Sequence, residues 1–305
     1  MVDFVKHRKI YFTVSAVFMI FILVFALVFG VNLDIQFKGG SMVTYSYTGD
    51  VDAAAFAKTV ESVVGRASVQ KTQDVASGTD SLIVSLSGTD SLTAEQQAAM
   101  TEALEAAFPE NQLTVVQVNN VDPTIGKEFF AKCMVAVAFS ALLMVIYIAF
   151  RFRRIGGWSA GVMCVVALIH DVMMVFAAFL LCRIALNDNF IAVSLTILGY
   201  SINNTIVIYD RIRENRKLQG NDVPVGNLVN ASINQTLNRT VMTTVTTVLA
   251  IGVVCVVAYI YNVTSIISFA LPMIVGMLAG VYSSICIAPQ LWVVWQEHKA
   301  KKEAK

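Results

Sequence analysis

The sequence predicts a membrane protein of the α-helical class: a six-transmembrane-helix bundle with one small α+β domain inserted after the first helix. Three observations lead there. The 305 residues are 56% hydrophobic and only 14% charged, with mean hydropathy +0.67, whereas a soluble domain carries about a quarter charged residues. Six apolar runs reach the roughly 20 residues a helix needs to cross a bilayer. The polar residues gather in one stretch after the first run and in short clusters at the ends of the others.

The six predicted spans are residues 10–29, 129–150, 158–181, 190–209, 240–259 and 266–292. The first is too long for the apolar core of a secretion signal and lacks a small-x-small cleavage site, so it reads as a retained anchor. Basic residues assign the sides. Lys6, Arg8 and Lys9 precede the first span, and Arg151, Arg153 and Arg154 follow the second. Arg211, Arg213, Arg216 and Lys217 follow the fourth, and Lys299, Lys301, Lys302 and Lys305 follow the sixth. The short loops on the other side hold only Arg183. Both termini are therefore expected in the cytoplasm, and an even number of spans agrees with that.

Three regions follow: 1–31, a cytoplasmic N-terminus and first span; 32–127, an extracytoplasmic domain; and 128–305, five further spans with a cytoplasmic C-terminus. Within the domain, residues 41–47 alternate like a strand. Residues 52–64 have helical spacing, with Asp50 or Asp52 as cap. Residues 69–75 and 82–86 read as strands around a Ser77-Gly78-Thr79-Asp80 turn. Residues 93–108 form a second helix opened by a capping box of Thr93 and Gln96. Residues 113–118 make a fourth strand. Strand–helix–strand–strand–helix–strand is the order of the ferredoxin-like, split βαβ arrangement.

Enzyme signatures are missing from the sequence: it has no Walker loop, HExxH or GxSxG. A non-enzymatic protein without cofactor or metal is the expectation, with the lipid bilayer as its main solvent and no nucleic acid as partner. Cys133, Cys164, Cys182, Cys255 and Cys286 lie in apolar segments without metal-ligand spacing and read as small core hydrophobes. Gly39-Gly40 precedes a strand rather than a helix, so a tight turn at the membrane surface fits better than a phosphate cradle.

Ionisable and amide groups inside the spans attract more attention, because a mid-bilayer charge costs about 2.5–3.5 kcal/mol on insertion scales. His170 and Asp171 lie in the third span, about 13 residues from Trp158, or roughly 20 Å at helical rise. Two readings stand: a proton relay or coupling hinge, and hydrogen-bonded glue between helices. Asn203 and Asn204 lie about two turns inside Arg211; amides do not carry a proton through a titration cycle, so helix packing is the default and a hydrated polar path the alternative. Asp210 with Arg211 reads as a solvated helix end. Residues 225–238 form a polar amphipathic lead into the fifth span, headed by Arg239. Arg239 either snorkels to the headgroups or turns inward to Asn204 or to a partner's acid. Thr240, Thr243, Thr244, Thr246 and Thr247 can bond back to their own helix.

Four blocks in order carry a resemblance over nearly the whole chain: LDIQFKGGS at 33–41, VDPTIGKEF at 121–129, ALIHD at 167–171, and GYSINNTIVIYDRIREN at 199–215 followed by SINQTLNRT at 232–240. Together they resemble the SecF family, the smaller membrane subunit of the bacterial SecD–SecF accessory complex, within the resistance-nodulation-division superfamily. Gly39, Gly40, Pro123, Gly126, Gly199, Asp210 and Arg211 are the motif and packing positions within these blocks. The resemblance implies half of a twelve-span, pseudo-symmetric unit completed by SecD beside the SecYEG channel in the bacterial cytoplasmic membrane. It implies that proton movement through the shared bundle drives external domains that pull or hold an exported, unfolded polypeptide. The implied polar path includes the positions of Asn204 and Arg239.

Two departures mark this chain. Asn204 stands where the family commonly has Asp, and Asp122 stands where a Gly often precedes Pro123. The first leaves three alternatives: the partner's acid suffices, Asp171 or His170 takes over, or the subunit is a scaffold without ion coupling. A proton-driven small-molecule or lipid exporter half-unit is a further reading.

Overall fold

The computed structural model describes residues 2–65, 67–73, 80–86, 92–220, 223–261 and 263–303. Among these, six helical segments are long and apolar enough to cross a bilayer. They are α1 (Arg8–Phe29), α5 (Pro123–Arg151), α6 (Gly157–Leu181), α7 (Asp188–Gln219), α8 (Val225–Ile260), and α9 (Thr264–Cys286) with its continuation α10 (Ala288–Glu303). Burial orders them. Over half of the apolar windows of α6 and α7 is buried (56%), against 11% for α1, α5 and α8. The bundle therefore has a packed centre of α6, α7 and α9 and a periphery of open apolar faces.

Four spans differ from their expected limits, the second because α5 already begins at Pro123. The fourth does not end at Tyr209: α7 runs to Gln219, because the charged tail keeps helical spacing and bonds to α8. The amphipathic lead and the fifth span are one helix, α8, of 36 residues, about 54 Å at helical rise. The sixth turns at Ile287, where Pro289 cannot donate to Ile285 O; Gln290 Nε2 reaches that carbonyl at 3.5 Å.

The inserted domain holds β1 (Gly40–Ser46), α3 (Ala53–Val64), β2 (Ala67–Gln73), β3 (Asp80–Leu86), α4 (Ala94–Ala107) and β4 (Thr114–Val121). Its four strands lie in the order β2-β3-β1-β4, every pair antiparallel, which is the ferredoxin-like topology. Alternation explains the core: Val43, Tyr45, Leu82 and Val84 point to one face and bury against Phe56 and Val60 of α3 and Met100 and Leu104 of α4, all 0% exposed. Asp52, not Asp50, caps α3 through Ala54 N–H, and Thr93 with Gln96 forms the capping box of α4. The second strand starts two residues earlier than expected, and the Ser77–Thr79 part of the expected turn lies outside the described residues.

Two roots join domain to bundle. In the first, Asn32–Asp34 runs parallel to Leu186 in the α6–α7 loop: Leu186 N–H donates to Asn32 O at 2.8 Å and Asp34 N–H to Leu186 O at 2.9 Å. Asp34 then caps the short helix α2 (Ile35–Lys38), and burial raises its carboxyl above the ordinary value. The second root is Asp122, which caps α5 through Thr124 N–H at 2.7 Å, with Pro123 opening the helix where a missing N–H is harmless. That cap gives Asp122 a structural role at the start of α5. The roots touch at Gly126, where a Cβ would lie 3.0 Å from Gly39 N, and Phe37 packs its ring on Phe129 and Phe130. Gly39 and Gly40 make the expected turn with positive φ; at Gly40 a Cβ would also lie 2.2 Å from Leu86 O.

At the opposite end, α7, α8, α10 and the N-terminal segment form a polar head. Asn230 and Asn234 accept from the Phe4 and Val2 amides, and Arg8 pairs with Glu297 at 3.0 Å. The N-terminal segment and α10 thus share one end of the bundle, away from the inserted domain.

Candidate functional site: a carboxylate buried between three helices

The site begins with small residues. Gly276 and Gly280 are four apart on α9, the small-xxx-small spacing that lets helices approach closely. A Cβ at Gly276 would lie 2.7 Å from Ile197 Cγ1 and Val175 Cγ2, and one at Gly280 3.2 Å from Ser201 Cβ. The same face continues to Ser283 and Ser284, and this close packing brings Ser283 onto α6.

There it meets Asp171, 0% exposed. Ser283 Oγ donates to Asp171 Oδ2 at 2.7 Å, Ser201 Oγ to the same oxygen at 2.5 Å, and His170 Nδ1 lies 3.1 Å from Oδ1. Each of the three most buried helices supplies a group. A carboxylate without water needs such donors, so the cluster is both the means of burying an acid and a place where a proton can be held or released. His170 (4% exposed) also faces the Tyr282 ring, centroids 5.9 Å apart. Tyr282 Oη accepts from Ser15 and donates to Tyr11 O, so polar groups continue from Asp171 to α1. Below the acid, Thr205 Oγ1 donates to Ser284 Oγ at 3.0 Å, and Ser284 Oγ donates to Ser201 O.

The other expected site residues lie apart. Asn204 is 4% exposed, on the buried face of α7, and its Nδ2 has no hydrogen-bond partner. Asn203 is exposed, one turn from Gly199, where a Cβ would meet nothing within 4 Å. Arg239 is exposed on α8 with no ion pair among the described residues, and the inward contact with Asn204 is not formed. Thr243, Thr244, Thr246 and Thr247 all bond to their own helix, and Thr244 Oγ1 with Tyr200 Oη also joins α8 to α7 at 2.6 Å.

Asp210 is not a solvated helix end. It bridges Arg151 of α5 and Arg213, both at 2.9 Å, and each guanidinium also lies over the Phe152 ring. Arg211 Nε donates to Gln235 Oε1 at 2.6 Å. Asn215 Nδ2 bonds Ser232 and Gln235 at 2.8 Å each. The sequence blocks 199–215 and 232–240 are therefore facing halves of one helix pair. Ser201, Ser283, Asn215, Ser232 and Gln235 are structural partners that sequence reading passes over; the Gly276–Gly280 spacing followed by two serines is the signal that leads to Ser283.

No group of three His, Cys, Asp or Glu that could hold a metal occurs among the described residues. Cys164 and Cys286 are buried, but Cys182 is exposed at the end of α6 and Cys133 and Cys255 are half-buried. The reading of all five as core hydrophobes holds only for the first two.

Six spans, one inserted ferredoxin-like domain and a buried intramembrane acid define a multi-pass membrane protein of the resistance-nodulation-division type, present here as a half-unit. Residues 100–298 match the family model described as protein export membrane protein SecD/SecF, C-terminal. The chain is 34% identical to the protein translocase subunit SecF of Alicyclobacillus acidocaldarius, covering 99% of this chain and 96% of that one. It is 32% identical to that of Petrotoga mobilis over 100% and 99%. The protein translocase subunit SecDF of Bacillus subtilis is 30% identical over 99% of this chain but only 39% of its own length. The crystal structure of SecDF from Thermus thermophilus, a translocon-associated membrane protein, superposes with TM-score 0.80 at 32% identity, over 97% of this chain and 39% of that one. The chain belongs to the SecF family of protein export membrane proteins.

Proposed function

We propose that the chain is the accessory SecF-type subunit of bacterial Sec protein export, pairing with SecD and coupling an ion gradient to late steps of polypeptide translocation. Its partners are SecD, the SecYEG channel and the unfolded exported polypeptide; its place is the cytoplasmic membrane, with both termini on the cytoplasmic side and the ferredoxin-like domain outside. Its role is transport rather than enzymatic catalysis.

One observation carries the coupling role: Asp171 is fully enclosed yet held by donors from three helices. A proton added to this carboxylate removes its charge and turns one acceptor oxygen into a donor, so a bond to His170, Ser201 or Ser283 must reverse or find another partner. The three helices that meet there are thereby biased between two arrangements. The exposed face bearing Gly199, Asn203 and Arg239 suits a second half-unit, since an unpaired arginine on a spanning helix favours an acidic or hydrated partner. The fusion of both halves in SecDF relatives supports SecD as that partner.

Asn204 favours a second reading, a scaffold that stabilises SecD without ion coupling, because an amide replaces the family's acid. The test is export of a precursor into membrane vesicles under a proton gradient, with Asp171→Asn and Arg239→Met each compared with wild type and SecD co-purification monitored. Slower export with SecD still bound is the expected outcome. Normal export by both variants leaves the scaffold, and export independent of the chain removes the function.

A further inference from the structure

The helices of the ferredoxin-like domain cover only one face of its sheet. The other face turns toward the outer end of the bundle and closes a cleft of about 470 Å³, within the roughly 300–1,000 Å³ span of ligand clefts. We propose that this cleft holds a segment of the exported polypeptide in extended form, an inference that rests on the export function proposed above.

The register of the sheet builds the roof. Two rows of side chains cross it: Ser68, Ser85, Met42 and Asn119, then Gln70, Ile83, Thr44 and Gln117. Of these, Ser68, Ser85, Met42, Gln70 and Ile83 line the cleft, and Ser68, Ser85 and Gln70 are neutral hydroxyls or amides. The floor comes from the α6–α7 loop and the outer ends of α7 and α9, with Asn187, Asn189 and Ser268 lining the cleft; Asn189 Nδ2 donates to Ser268 Oγ at 2.9 Å. Side-chain amides offer both donors and acceptors and so match the N–H and C=O groups of an extended backbone whatever its side chains. Met42, Ile83 and Ile267 leave apolar patches between them. Charges of both signs, Asp34 with Lys38 and Arg183, line the cleft as well, so neither an acidic nor a basic passenger is excluded. The lining is mixed, with Leu33, Ile35 and Ile184 beside the polar groups, and an acyl chain would leave its amides and charged groups without partners.

The floor is tied to the buried acid. The α6–α7 loop follows directly from the helix that carries Asp171, and Leu186 within it is bonded to the Asn32–Asp34 root of the domain. A shift of α6 thus moves the floor and the root together and changes the cleft that grips the chain.

The test places a photoreactive side chain at Gln70, at Ser268, and, as control, at Glu61 on the exposed side of α3. Each variant is combined with SecD and the channel in membrane vesicles, and a radiolabelled precursor is arrested midway through translocation. Passenger adducts several-fold stronger at Gln70 and Ser268 than at Glu61 are expected. Equal yields at all three positions, or adducts at Gln70 and Ser268 to SecD alone, overturn the inference. Export measured in the same vesicles separates the failures: chain-dependent export with silent cleft probes rejects the cleft only, whereas chain-independent export rejects the export function and the cleft with it.

Discussion

Ser283 of α9 donates a 2.7 Å hydrogen bond to Asp171 of α6, across a helix contact made possible by Gly276 and Gly280. The bond joins two spans 112 residues apart in sequence at the level where Ser201 of α7 meets the same oxygen. Around it the bundle places its one fully enclosed carboxylate among the described residues.

Removing the carboxylate is expected to cost more than neutralising it. Asp171→Ala leaves the Ser201 hydroxyl and the His170 ring without their partner, while Ser283 keeps Gly280 O at 3.2 Å, at about 1–3 kcal/mol for each buried group left unpaired. Asp171→Asn keeps one carbonyl oxygen in place. Thermal unfolding in detergent, followed by tryptophan fluorescence, should rank wild type and Asp171→Asn close together and Asp171→Ala clearly lower. Equal melting of the two variants would show that the hydroxyls re-pair freely.

The glycine contact is expected to be intolerant of bulk. Gly276→Ala puts a methyl 2.7 Å from two side-chain carbons, an overpacking that costs typically about 1–3 kcal/mol. Gly199→Ala, with nothing within 4 Å, should be near neutral in the isolated chain. The same melting assay checks both, and a larger loss at Gly199 would contradict the packing described.

Arg239 and Asn204 should separate in function. Arg239→Met removes a charge from the face left open for SecD, so export is expected to fall. Asn204→Ala removes an amide whose Nδ2 has no partner, so a smaller export defect is expected. A greater defect from Asn204→Ala than from Arg239→Met, in vesicles with equal amounts of complex, would assign Asn204 a direct part in the polar path.

The domain root should respond to pH through Asp34. Burial raises its folded-state carboxyl above the ordinary value, so the folded protein binds this proton more tightly than the unfolded chain. That contribution is complete below the ordinary carboxylate pKa and is lost as pH rises through the folded value. Asp34→Asn should flatten this part of the stability profile above the ordinary carboxylate pKa; an unchanged profile would rule out Asp34 as its source.

Local signals made much of the fold legible. Strand alternation at Val43 and Tyr45, the Thr93–Gln96 capping box and the Gly39-Gly40 turn each depend on a few neighbouring residues. The spans follow from apolar length alone. Less legible were features set by distant partners. Asp171 and Asn204 both stand out as polar groups in apolar runs, but only packing shows that Asp171 gathers Ser201 and Ser283 while Asn204 Nδ2 stays unpaired. Asp210 reads as an exposed helix end until Arg151, on another helix, is placed beside it. The continuation of α7 to Gln219 was hidden because charge marks the membrane boundary and not the end of the helix, which here is held by Asn215 against Ser232.

The most direct measurement is proton release from the lumen of vesicles containing the complex, read with an internal pH-sensitive dye while precursor is exported into them, for wild type and Asp171→Asn. If Asp171 couples the gradient to motion, wild type shows export-linked proton release and Asp171→Asn loses it while the complex remains assembled. Undiminished export-linked release in Asp171→Asn would contradict a coupling role for Asp171.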